Sequence, residues 1–135
     1  MKVFSVLVLC FATVAVFAGK LTVEEKKAKI GAFYKCLACG DQQARDEYMK
    51  CEELKPKKSH EIEEACKKEV MPGIDDIKER WNHICQYPGT TTKLYDCVVT
   101  DEHKKLFAPE DKEKFHEFKE CAKEIYKTHC HKEEQ

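Results

Sequence analysis

Apolar residues recur along most of the chain at steps of three and four, the spacing that lines one face of a helix. Thr22-Val23-Glu24-Glu25 has the form of a capping box, and Val23, Ile30, Phe33, Tyr34 and Leu37 follow it on one stripe. Gly40 suits the stop, and Asp41 can cap a second helix carrying Ala44, Tyr48, Cys51 and Leu54, which Pro56 ends. Ser59 is read as opening a third helix, with an acidic first turn and an edge of Ile62, Cys66 and Val70. Pro72-Gly73 interrupts it. Ile74, Ile77, Trp81, Ile84 and Cys85 mark a fourth helix with strong amphipathic spacing. The run 87–92, Tyr-Pro-Gly-Thr-Thr-Thr, reads as a turn and cap ahead of a short fifth helix bearing Leu94, Cys97 and Val98. Pro109 suits the first position of a last helix whose stripe is Phe115, Phe118, Cys121, Ala122 and Ile125. No run alternates with period two for long enough to be a strand. The expected fold is all-α, a compact bundle of five or six short helices.

The N-terminus has a different pattern. Residues 1–18 are a basic start at Lys2, a continuous apolar run from Val3, and small residues at Val16 and Ala18. This is the layout of a cleaved signal peptide, and the run is short of the roughly 20 apolar residues that a membrane span needs. The expected organisation is a signal peptide at 1–18 and one helical domain at 19–135, secreted and extracellular, with no membrane span after cleavage.

Cleavage takes Cys10 away and leaves Cys36, Cys39, Cys51, Cys66, Cys85, Cys97, Cys121 and Cys130. An even set in a short secreted chain implies about four disulfides, and eight cysteines allow 105 pairings between which sequence does not choose. Most fall on apolar helix edges, where they would staple helix to helix. Without Lys2, the 24 basic and 25 acidic residues of the whole chain become a net charge of −2. The charges are intermixed, so nucleic acid is not an expected partner. A monomer is expected.

Candidate chemistry is sparse. Cys36-x-x-Cys39 has the spacing of redox and zinc sites, but it ends a helical run instead of beginning one, and no second tight cysteine pair accompanies it. Two structural half-cystines with different partners is the preferred reading. The absence of a closing tight pair also sets the chain apart from saposin-like lipid binders, because Cys121 and Cys130 are eight residues apart. Of the six histidines, His129 and His131 are the nearest neighbours, yet they would point apart on a helix. They leave copper or zinc sequestration as a minor reading, and no metal ligand or cofactor is assigned. Ser59 is the one serine after residue 18 and suits a helix start better than a nucleophile. No catalytic residue is assigned, and an enzyme is not expected.

Phe33, Tyr34, Trp81, Ile84, Phe115 and Phe118 either fill a core or line an apolar cavity between helices, where helical domains commonly build ligand sites. In format the chain resembles the arthropod odorant-binding type of secreted carrier, and more closely the divergent chelicerate forms. It shares their length, helices, spaced cysteines and a Cys121-x8-Cys130 spacing on the last helix. It lacks that family's central C-x-x-x-C and has eight cysteines where six are usual. The resemblance implies a carrier holding a small hydrophobic ligand among those six residues. The alternative is a venom, salivary or defence protein, toxin-like or antimicrobial, that acts through its surface.

Overall fold

The computed structural model describes residues 21–130, so the expected signal peptide and His131 lie outside the described residues. Seven helices follow one another: α1 (Val23–Cys39), α2 (Gln42–Glu52), α3 (Lys57–Val70), α4 (Ile77–Gln86), α5 (Gly89–Val98), α6 (Asp101–Lys104) and α7 (Asp111–Ile125). A π-helical turn, Tyr126–Cys130, continues α7. No strand occurs among the described residues.

Local chemistry sets the helix ends. Thr22 and Glu25 form the expected reciprocal box, with bonds of 3.0 and 2.9 Å. Asp41 accepts from the Ala44 amide at 2.9 Å and starts α2. Between them Gly40 leaves no room for a side chain, because a Cβ there would run into the Cys36 carbonyl. Arg45 reaches back from α2 to the open end of α1, donating to the carbonyls of Leu37 (2.9 Å) and Gly40 (2.8 Å). Gly73 takes φ +82° in the turn before α4, a conformation that L side chains rarely adopt. Asp76 then caps α4 through the Glu79 amide at 3.0 Å.

Four boundaries differ from the sequence reading. Pro56, with φ −60°, sits at the N-cap of α3, so Ser59 lies inside the first turn and donates to Glu63 at 2.9 Å. Gly89 starts α5 directly, which puts the threonines inside it and buries Thr90 and Thr91. Thr100 caps a one-turn helix, α6, that no apolar stripe announced. α7 begins at Asp111, two residues after Pro109, where the Asp111 carboxylate holds the Ala108 amide at 2.9 Å.

Two cores form. The first gathers Leu37, Ala44, Tyr48, Cys51 and Ile125 from α1, α2 and α7. The second gathers Ala38, Met71 and Ile84, with Val70, Ile74 and Leu94 against it, from the end of α1 and the α3–α5 segment. Tyr34 and Trp81 touch both. Neighbouring residues of one helix, Leu37 and Ala38, thus face opposite cores. Each large apolar side chain buried this way contributes roughly 1.5–3 kcal/mol. Val23, Leu54 and Ile77 stay exposed despite their places on the expected stripes. For Val23 the reason is local: the first turn of α1 is exposed throughout, and Lys27 is the first residue that α5 engages, through Asp96 at 2.7 Å.

All eight expected cysteines are bonded, in the pairs Cys36–Cys130, Cys39–Cys85, Cys51–Cys121 and Cys66–Cys97. Loops of 31 to 94 residues are closed, and each such link typically contributes about 2–4 kcal/mol by limiting the unfolded chain.

Candidate functional site

Helical spacing brings the aromatic residues of α1 and α2 to one place. Tyr48 is the hub: Phe33, Tyr34, Phe118 and Trp81 lie around it with ring centres 5.5–6.1 Å away, mostly edge to face. Tyr34 also stacks on Trp81 at 6.2 Å. Of the six residues proposed to line a cavity, the structure brings together Phe33, Tyr34, Trp81 and Phe118. Ile84 belongs to the second core, and Phe115 pairs instead with Phe107 at 5.1 Å. The space between the four grouped rings holds the Tyr48 ring. Open grooves lie elsewhere, beside α3 and α5, lined in part by Ile62, Ala65 and Cys97.

A polar chain continues from the aromatic hub towards α3, and two of its members, Glu52 and Lys55, were not singled out from sequence. The Tyr34 and Tyr48 hydroxyls bond each other, and Tyr48 donates to Glu52. Lys55 bridges Glu52 (3.0 Å) and Glu63 (2.7 Å), and Ser59 donates to Glu63 as well. Glu52 is only 8 % exposed, and the Lys55 ammonium lies 4.3 Å from the Phe118 ring centre. Buried charges need this pairing, because an isolated carboxylate or ammonium there would be costly. The spacing was visible after the fact: Tyr48–Glu52 and Ser59–Glu63 are i, i+4 pairs and Glu52–Lys55 an i, i+3 pair. Among so many intermixed charges, that spacing also describes a solvated face.

Burial and the pairing act against each other on these groups. Burial alone would raise the Glu52 carboxyl, but Lys55 and the Tyr48 hydroxyl outweigh it and hold the carboxyl below its ordinary value. Burial would lower Lys55, yet Tyr34, Glu52 and Glu63 around it carry its pKa above the usual lysine range. Tyr34 is pushed up to about 12, chiefly by burial, with Lys55 pulling the other way.

Glu52, His60 and Glu63 place donor atoms within 4.8 Å of one another, a set suited to a divalent ion. The Lys55 ammonium already lies between both carboxylates and offsets one of their two charges. His129 bonds Glu47 at 3.2 Å. His103 faces the Val98 carbonyl at 2.9 Å, and His83 packs on Tyr87. Cys36 and Cys39 have different partners, which is the structural reading of their spacing.

No helix among the described residues is long and apolar enough to cross a membrane. No solved structure matches the chain. U10-hexatoxin-Hi1a of Hadronyche infensa is similar, 36 % identical over 109 residues that cover 79 % of this chain and 83 % of that protein. A family model described as Hi1a-like, U10-hexatoxin-Hi1a, matches residues 24–131. These findings overturn the resemblance to odorant-binding carriers. That resemblance rested on length, helix number and one cysteine spacing, which unrelated disulfide-linked helical proteins share; the Cys121 and Cys130 that carried it pair with Cys51 and Cys36. The match runs through nearly all of the described helices and all eight bonded cysteines, and by it the chain belongs to the Hi1a-like family.

Proposed function

We propose that this protein is a secreted, non-enzymatic, toxin-like protein that acts through its surface on an extracellular target. The observation that carries the reading is membership of a family described by a hexatoxin, over residues 24–131. Two structural features support it. Tyr48 occupies the middle of the aromatic cluster, and open grooves lie on the outside beside α3 and α5. Four disulfides suit a chain that matures in an oxidising compartment and works outside the cell. On this reading residues 1–18 are the cleaved signal peptide, residues 19–135 are the active domain, and the protein works as a monomer.

The test is to apply the purified, oxidised mature domain to excitable cells and to whole animals, alongside a reduced and alkylated control. A response that needs the folded form is expected. An apolar fluorescent probe is titrated in parallel, and it should show no saturable single site. Saturable probe binding displaced by small apolar molecules, with no response in cells or animals, would sink the proposal.

A further inference from the structure

The four disulfides do not form one evenly connected network. Cys36–Cys130 and Cys51–Cys121 tie α1, α2, α7 and the π-helical turn to one another. Cys66–Cys97 ties α3 to α5. Cys39–Cys85 alone runs between these two groups, from the last turn of α1 to the last turn of α4. The partition is one of covalent links and the packing crosses it, since α1 packs closely on α4 and Tyr34 and Trp81 touch both cores.

Exposure separates the same bond from the others. Cys36 and Cys130 are both buried, and Cys51 and Cys66 bury one end of each remaining pair. In Cys39–Cys85 neither end is buried: Cys39 is exposed and Cys85 is half-buried. Thiol–disulfide exchange requires a thiolate to approach one sulfur, so access decides which bond opens first.

We infer that Cys39–Cys85 is a reductant-accessible clasp joining two halves of the protein that each stay cross-linked after it opens. The chemistry is a two-electron exchange with an external dithiol. One thiolate of the dithiol attacks the sulfur of the exposed residue Cys39, and Cys85 leaves and takes up a proton. The second thiol of the reductant then displaces Cys39, which leaves the reductant as a disulfide and both cysteines as thiols. Both sulfurs sit at helix C-termini, where the dipole disfavours thiolate, so the leaving group is poor. A dithiol, whose second thiol closes on the mixed disulfide before Cys85 can return, is therefore the class of reductant that opens the bond fully. Opening loosens the contact of α1 with α4 and leaves the Lys55 bridge between α2 and α3 in place. The inference does not depend on which target the surface engages.

The experiment treats the oxidised mature protein with limiting dithiothreitol, quenches with iodoacetamide and maps the alkylated peptides. Cys39 and Cys85 should be labelled at least about tenfold faster than the other six cysteines. Hydrogen exchange on the two-thiol species should rise in α4 and the last turn of α1 and stay unchanged in α2 and α7. Early labelling at Cys51, Cys66 or Cys130, or release of all eight together, would overturn the inference. So would opening of Cys39–Cys85 with no change in exchange, because the bond would then be accessible without being a clasp. A C39S/C85S variant that folds should show the higher exchange in α4 without any reductant.

Discussion

The two cores solve the same packing problem by different means. The half built from α1, α2 and α7 buries an aromatic hub, two disulfides close it, and at its border with α3 Lys55 bridges Glu52 of α2 and Glu63 of α3. The half built on α3, α4 and α5 is held by Met71, Ile84 and one disulfide, and its main ion pair joins a buried Arg80 to a half-exposed carboxylate. There Arg80 donates in parallel to both oxygens of Glu64 at 2.9 Å and to the Ile74 carbonyl at 2.8 Å, while the Glu64 side chain is 47 % exposed. Around Lys55 all three side chains are buried or nearly so, and its most exposed partner, Glu63, is 17 % exposed. Depth decides what each charge is worth. A buried charge left without its partner is strongly unfavourable, whereas an exposed one returns to water.

That contrast can be broken by substitution. Lys55→Met strands Glu52 and Glu63 and should lower unfolding stability by about 3–5 kcal/mol, read from the denaturant midpoint. A loss under about 1 kcal/mol would show that the cluster is effectively solvated. Truncating one residue in each core sharpens the comparison: Leu37→Ala and Met71→Ala, both fully buried, should each cost about 2–5 kcal/mol. Local exchange should rise in α2 for the first and in α4 for the second. Removing the α4 cap with Asp76→Ala should cost about 1 kcal/mol, again with the change confined to α4. Glu64→Gln should have the smallest effect, under about 1 kcal/mol, because that carboxylate is half-exposed and the buried Arg80 keeps acceptors in the new amide oxygen and the Ile74 carbonyl.

Titration separates the halves in another way. Glu52 is held below its unfolded value of about 4.3, so its stabilisation is present above that pH and is lost as pH falls through the folded value. Tyr34 and Lys55 shift upward. What they contribute is complete below their unfolded values of about 10 and 10.4, and is lost as pH rises through the folded ones, about 12 for Tyr34. Fluorescence of Trp81, which stacks on Tyr34, should report loosening of the Tyr48 core in acid and again in strong alkali. Tyrosinate absorbance should show Tyr34 and Tyr48 titrating late on the alkaline side. A late titration in the Lys55→Met variant unchanged from the parent would break the link between Tyr34 and the ion pair.

The sequence by itself determined the helices and the cysteine inventory. Period, caps and breakers are local: Thr22 with Glu25, Asp41 before Ala44, and Gly40 and Gly73 at the turns each act within a few residues, so spacing alone reveals them. It missed α6, because a single turn started by the Thr100 cap has too few residues to show a stripe. Only the tertiary structure decided which cysteines meet, that Leu37 and Ala38 serve different cores, and that Glu52, Lys55 and Glu63 leave water together. These outcomes depend on how helices distant in sequence cross. A one-dimensional pattern shows that a residue lies on an apolar face or carries a charge, and leaves open what lies opposite it. Eight equivalent cysteines therefore became four specific links, one of them exposed, only when the helices were placed.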